Sequence, residues 1–380
     1  MNTAMSLPAE IWLHIHRLAT SDASPMNISL SEQFQYIPIT DPLQDVGRFW
    51  RNAYSLVLVC RLWSNYAKEL LYENIQVDVA DFDALYDSLT MFGNARLVRS
   101  VRLSNTRFDR NTTVLAICPG LRLVVLSNEG SKSPLRIRDV DTDHEQFGPF
   151  HSLTHIYWTE ATCNASLLRK VLAMAPNISF LFLTNSTTLP TDVHALPFPE
   201  SDALQKIKHL SLVPSCSSLN NALLAGMKLQ TLTRLTCSAS FFAADAESEP
   251  DPPPPVFPFV RIVELFGSRS TIPFNAIFLR CPRLQELCYD VWSTILEPEK
   301  PHRLLSSIRL HSAVTVVRDW ATIKNHFNLL LSPTFATKLQ RIVLYNNWYR
   351  VVANKEVFSP FRDGLTLLGA QVEFPEGHVR

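Results

Sequence analysis

The chain has 380 residues, with 35 basic and 35 acidic side chains and a formal net charge of zero. That length exceeds one ordinary hydrophobic core and suits two domains or an elongated repeat array. The balanced charge, without a basic block, gives no footprint for nucleic acid or an anionic membrane, and the longest apolar runs fall far short of a membrane span.

The first residues lack the basic start and unbroken apolar stretch of a signal peptide, so the expected compartment is intracellular, cytoplasmic or nuclear or both. Seven cysteines (Cys60, Cys118, Cys163, Cys216, Cys237, Cys281 and Cys288) are scattered with no C-x-x-C pair. They read as reduced, mostly buried thiols. The sequons at Asn27, Asn111, Asn164, Asn177 and Asn185 are expected to be silent in such a compartment.

The chain opens with "SLPAEIWLHIHRLAT", Ser6 to Thr20, which reads as a short amphipathic helix. Pro8 suits its first turn, Glu10 complements its positive end and Arg17 its negative end, while Ile11, Ile15 and Leu18 share a face. Residues 22–47, with Pro25, Pro38 and Pro42, read as an insertion in a surface connection. A second helix is expected over "YSLVLVCRLWSNYAKELLYENI", burying Leu56, Val59, Cys60, Trp63, Ala67 and Leu70. Two such helices have little core of their own and need each other, the following body, or a partner.

From Leu97 onward a pattern recurs: apolar, two variable residues, apolar, one variable residue, apolar. It reads "VRSVRL", "LRLVVL", "LTHIYW", "ISFLFL", "IKHLSL", "LTRLTC", "VRIVEL", "LQELCY", "LSSIRL", "LQRIVL" and, weakly, "GAQVEF". The middle apolar residues are Val101, Val124, Ile156, Leu181, Leu210, Leu235, Val263, Leu287, Ile308, Ile342 and Val372. Their mean period is about 27 residues, within the range of leucine-rich repeats. The alternation makes each motif a strand with one buried face.

Helical spacing fills the intervals over "NASLLRKVLAMA" from Asn164, "LNNALLAGMK" from Leu219, "PFNAIFLR" from Pro273 and "DWATIKNHFNLLL" from Asp319. Cys118-Pro119, Ala175-Pro176 and Cys281-Pro282 punctuate three strand starts: proline stops a helix, and a small residue before it lets repeats stack. Asn105, Asn128, Asn185 and Asn346 follow strands by two positions, a spacing that argues against a regular buried asparagine ladder. "AADAESEPDPPPPVFP", Ala243 to Pro258, is expected to be a mobile surface loop, because acidic residues and consecutive prolines favour a solvated, extended backbone.

Enzyme chemistry finds no anchor. Only ten glycines occur, with no G-x-G pair; "GLTLLGAQ" from Gly364 has P-loop spacing but carries Ala370 and Gln371 where a lysine and a hydroxyl are needed. There is no H-E-x-x-H or G-x-S-x-G, and His14 and His16 point to different faces of a helix. The sequence predicts no enzyme, no cofactor and no metal site.

The N-terminal residues "LPAEIWLHIHRLA", "SLVLVCRLWSNYA" and "LYENI" resemble an F-box in the form found in large fungal families. Leu7, Pro8, Glu10, Ile11 and Ile15 match its first half, and Val59, Cys60, Arg61 and Trp63 its second. The downstream pattern, with its C-P-x-L lead-ins, resembles the irregular leucine-rich repeats of F-box proteins.

The resemblance implies an α/β protein: a small helical F-box over 1–76, then a solenoid over 77–380 with parallel strands on its concave face and helices on its convex face. A conventional open α/β sheet is the alternative architecture. In this family the F-box docks on a Skp-type adaptor linked to a cullin, and the repeats capture a protein substrate. The implied function is substrate recognition in an SCF-type ubiquitin ligase, with Leu7, Pro8, Ile11, Ile15, Val59, Cys60 and Trp63 on the adaptor. The other readings are a repeat scaffold with no ubiquitin role, and helices that merely cap the end of the repeats.

The positions flanking each middle apolar residue would face the concave surface. Most are polar or charged, as at Arg102, Arg234, Glu286, Arg309 and Arg341. In the third and fourth motifs they are His155, Tyr157, Phe180 and Phe182, an aromatic group expected either as an exposed substrate-binding patch or as covered core.

Overall fold

The structure, a computed structural model, describes residues 8, 11–15, 46–77, 82–104, 108–126, 148–160, 165–185, 205–213, 230–243, 256–267, 270–312, 320–332, 335, 337–346 and 348–374. It is mixed α/β, with an all-parallel sheet of twelve strands and helices in the connections. Contacts divide it into two compact units: Met1–Leu181 with Ser201–Ala203, and Phe182–Glu200 with Leu204–Arg380. Among the described residues no helix is long and apolar enough to cross a membrane.

The strands are β1 (Asn74–Gln76), β2 (Ser100–Leu103), β3 (Leu123–Leu126), β4 (His155–Glu160), β5 (Phe180–Asn185), β6 (His209–Val213), β7 (Arg234–Ser238), β8 (Ile262–Phe266), β9 (Thr271–Ile272), β10 (Glu286–Asp290), β11 (Thr294–Ile295), β12 (Ser307–Ser312), β13 (Arg341–Asn346) and β14 (Gln371–Glu373). β9 and β11 form a separate parallel pair, while the other strands follow chain order in the main sheet. Every recurring motif lies on one of those strands.

The register explains the motif. In the first unit Ile75 lies across from Val101, Val101 from Val124, and Val124 from Ile156. In the second, Leu210, Leu235, Val263, Leu287, Ile308, Ile342 and Val372 stand opposite one another in succession. All but the half-buried Val372 on the last strand are buried. A slip of one residue would turn each apolar row outward, so burial of this row fixes the register. β1 lies within the segment assigned to the helical module; the sheet begins before residue 77.

The helix expected over Tyr54 to Ile75 is two helices, Val46–Val57 and Arg61–Glu73, followed by β1. A tight turn separates them: Leu58 N donates to Tyr54 O and Val59 N to Leu56 O. Cys60 is extended at φ −163° and its carbonyl accepts from Ser64 N, starting the next helix. The β-branched residues of "LVLVC" are weak helix formers, which favours a break there. Ala53 and Leu70 close a small core between the two helices, with Leu71 packed against it. The insertion at 22–47 lies almost wholly outside the described residues.

Helices Phe108–Ile117, Ala165–Met174 and Phe274–Arg280 end immediately before Cys118, Ala175 and Cys281, all fully buried. Helix Trp320–Leu331 matches its expected position, whereas Leu219–Lys228 lies outside the described residues. Tyr289 of β10 packs on Phe274 and His326, whose ring centroids lie 5.9 and 5.6 Å away, so the Leu287 and Tyr289 side of β10 faces the helices. The near-miss glycines are architectural: a Cβ on Gly364 would lie 2.8 Å from a Leu331 methyl, and Gly369 holds φ +75° just past helix Lys355–Leu367.

Residues 244–255 of the proline-rich segment lie outside the described residues. Its last residues are no surface loop: Phe257 is fully buried, and Arg280 stacks over Phe241, Phe242 and Phe257 at 5.1, 4.9 and 5.4 Å. Arg280 also donates to the Phe241 carbonyl at 3.0 Å. An aromatic cage and a carbonyl favour a planar guanidinium over a lysine ammonium here.

Candidate functional site

Of the residues expected on an adaptor, Leu7 lies outside the described residues. Pro8 is exposed, and its carbonyl accepts from Ile11 N and Trp12 N at 3.1 and 3.2 Å, opening the first helical turn. Ile11 and Ile15, one turn apart, are 45% and 39% exposed, and Val59 is 58% exposed. Cys60 is an exposed free thiol. Trp63 differs: it packs on Trp12, with ring centroids 5.6 Å apart, and so ties the first helical segment to helix Arg61–Glu73.

Sequence periodicity missed two exposed residues beside them, Tyr54 at 55% and Leu58 at 67%. Neither belongs to the apolar stripe read for one continuous helix, whereas Val59 and Cys60, which do, are exposed as well. The helices present Ile11, Ile15, Tyr54, Leu58 and Val59 to solvent, while Ala53, Ala67 and Leu70 are buried.

The aromatic group, expected either as an exposed patch or as covered core, is largely covered. Tyr157 is 4%, Phe180 1% and Phe182 7% exposed, and His155 is half-buried. The rings shield one another: His155 stacks on Phe180 at 5.6 Å and Tyr157 lies 4.8 Å from it. Adjacent strands less than about 5 Å apart leave no room for water between such rings. Burial pushes His155 down to about 4, so it is neutral at neutral pH.

The polar side of the second unit's sheet also departs from expectation. Glu264, Glu286 and Arg309 are buried, Arg234 nearly so, and Arg341 is partly exposed. Arg309 Nη2 donates to Glu286 Oε2 at 3.1 Å, its Nε lies 2.6 Å from Oε1, and its Nη1 donates to Tyr345 Oη at 2.8 Å. Arg341 Nη2 donates to the same Glu286 Oε2 at 3.2 Å. One repeat earlier, Arg234 Nη2 donates to Glu264 Oε2 at 2.9 Å, and Thr236 Oγ1 donates to that oxygen at 3.3 Å. Arg234, Glu286 and Arg309, read as an exposed charged surface, thus lie in two largely buried ion-pair groups, with Arg341 at the exposed edge of the second.

The register also gathers Glu264 of β8, Cys288 of β10 and His311 of β12. One ligand atom from each lies within 4.8 Å of the others, and all three residues are buried. Burial raises Cys288 well above the usual thiol value, with Glu264 and Glu286 adding to the rise and Arg309 and Arg234 opposing it. His311 is pushed down to about 4 by burial and by Arg309, and its ring stacks on Tyr345 at 5.2 Å. This grouping was invisible in the sequence because each strand supplies a single ligand.

Comparison with protein-family models gives no match, and no curated protein matches the chain.

Proposed function

We propose that the N-terminal helices dock a Skp-type adaptor and that the protein recognises a substrate for an SCF-type ubiquitin ligase through its repeats. The F-box resemblance of "LPAEIWLHIHRLA" and "SLVLVCRLWSNYA" supports this reading. The observation that carries it is the exposure of Ile11, Ile15, Tyr54, Leu58 and Val59 on a small helical module. Exposed apolar groups gathered on one module mark an interaction surface, whereas scattered single residues do not. The repeats themselves correspond to the in-register parallel strands, so the leucine-rich-repeat reading extends the observed α/β sheet.

The aromatic group at His155, Tyr157, Phe180 and Phe182 is core in this reading and no longer the first candidate for substrate contact. Ligase chemistry belongs to other subunits of the complex.

Co-purification tests the proposal. The full chain is expected to capture a Skp-type adaptor, and Leu58→Asp with Val59→Asp to abolish capture while leaving the circular dichroism spectrum and melting unchanged. Trp63→Ala is the poorer probe, because loss of the Trp12 contact disturbs the module itself. Adaptor capture undiminished in the folded double variant, or no capture by the unmodified chain, would overturn the reading.

A further inference from the structure

We propose that Glu264, Cys288 and His311 form a binding site for one thiophilic divalent transition-metal ion of the zinc class. A thiolate, an imidazole and a carboxylate are the donors such an ion takes, and hard cations such as calcium or magnesium do not choose sulfur. The three ligand atoms already lie within 4.8 Å of one another.

The positions are held by the sheet. Cys288 and Glu264 are direct cross-strand partners, as are Cys288 and Arg309, and His311 follows Arg309 by two residues on the same face of β12. Parallel pairing therefore presents the donors from three consecutive strands on one side of the sheet. The contacts from Arg234 and Thr236 both fall on Glu264 Oε2 and orient the carboxylate.

The charges admit an ion. Arg309, the nearest cation to Cys288 in register, is paired with Glu286, and Arg234 with Glu264. His311 brings a ring nitrogen to the same group. Cys288 is a neutral thiol without metal; binding replaces its proton by the ion, and one proton leaves to solvent. Small exposures at Glu264 and His311, 6% and 9%, place the approach on the side of the sheet away from the Tyr289 ring. Three protein donors leave a fourth tetrahedral position for water or for a side chain of a bound partner.

Cobalt(II) is the probe. The full chain, stripped with chelator under reducing conditions, is titrated with cobalt chloride. The expected result is one equivalent bound with a thiolate-to-cobalt charge-transfer band and the intense visible bands of a four-coordinate ion, both bleached by zinc.

Cys288→Ser should lose the charge-transfer band, and His311→Gln should weaken binding at least tenfold, since even outer partners of metal ligands are worth about that much. Cys60→Ser, which removes the exposed thiol, should change neither. Absence of the thiolate band in the unmodified chain overturns the site, and so does its persistence in Cys288→Ser. Should Cys288→Ser fail to fold, undiminished cobalt affinity in His311→Gln overturns it. Adaptor capture does not enter these readouts, so this site and the adaptor reading fail separately.

Discussion

Asn111 and Ser104 exchange two hydrogen bonds: Asn111 Nδ2 donates to the Ser104 carbonyl at 2.6 Å, and Ser104 N donates to Asn111 Oδ1 at 2.9 Å. The helix Phe108–Ile117 thereby fastens the end of β2 to its own first turns. Asn111 is fully buried. Replacing it with alanine removes both bonds to Ser104, at about 1 kcal/mol each. Asn111→Ala should lower the urea midpoint with an unchanged m-value.

The two arginines that share Glu286 should not be equivalent. Arg309 has a side chain only 4% exposed, whereas that of Arg341 is 40% exposed. Breaking a buried pair costs about 3 to 5 kcal/mol, somewhat less here because Arg341 still holds Glu286, while an exposed pair contributes about 1 kcal/mol or less. Chemical denaturation of Arg309→Ala and Arg341→Ala should therefore show a large loss for the first and a small one for the second. Arg309→Met paired with Glu286→Leu should recover much of the loss, because the buried charges then vanish together.

Acid should weaken the fold before the carboxylates are protonated. Burial pushes His155, His311 and His326 down to about 4 from an ordinary value of 6.5, against the partial support His326 receives from hydrogen bonds to the Ser293 and Val291 backbone. His326 Nε2 donates to the Ser293 carbonyl at 2.9 Å. The unfolded chain binds protons at these sites first. Their contribution is complete above about pH 6.5 and is lost as pH falls toward 4. Melting temperature should decline across that window, and His326→Gln, whatever its effect at pH 7, should decline less.

Thiol reactivity should sort the cysteines. Cys60 is exposed, while Cys118, Cys237, Cys281 and Cys288 are buried with their thiols pushed upward, Cys118 and Cys281 to about 12. In a Cys163→Ser, Cys216→Ser background, a maleimide should modify Cys60 rapidly and the others only on unfolding. A bound Skp-type adaptor should protect Cys60, which lies beside Leu58 and Val59. Equal labelling with and without adaptor would remove that stretch from the interface.

The strands were legible because burial imposes a period of two, and the same residues, Val101 to Val372, then met across the sheet. β1 escaped notice because its three residues, Asn74 to Gln76, end a segment with helical spacing. The polar positions misled for a different reason. Alternation along one strand says which residues share a face, and it says nothing about what stands on the next strand. Arg309 beside Glu286, and Phe180 beside His155 and Tyr157, are relationships between repeats. The ligand grouping at Cys288 is of the same kind. At the N-terminus, Val59 and Cys60, expected on a buried stripe, lie exposed where "LVLVC" breaks the helix.

The two outer strands of the sheet are guarded in unlike ways. β14 is three residues long and carries Gln371 and Glu373 outward, and a charged, short edge discourages pairing with another chain. β1 carries no such charge: Asn74 and Ile75 are buried, and the helices Val46–Val57 and Arg61–Glu73 pack beside it. A truncation that begins at Asn74, intended to isolate the repeats, would therefore bare an uncharged strand edge and invite aggregation. The helices are as necessary to the solubility of the sheet as to any partner they hold, and the repeats are best studied with them attached.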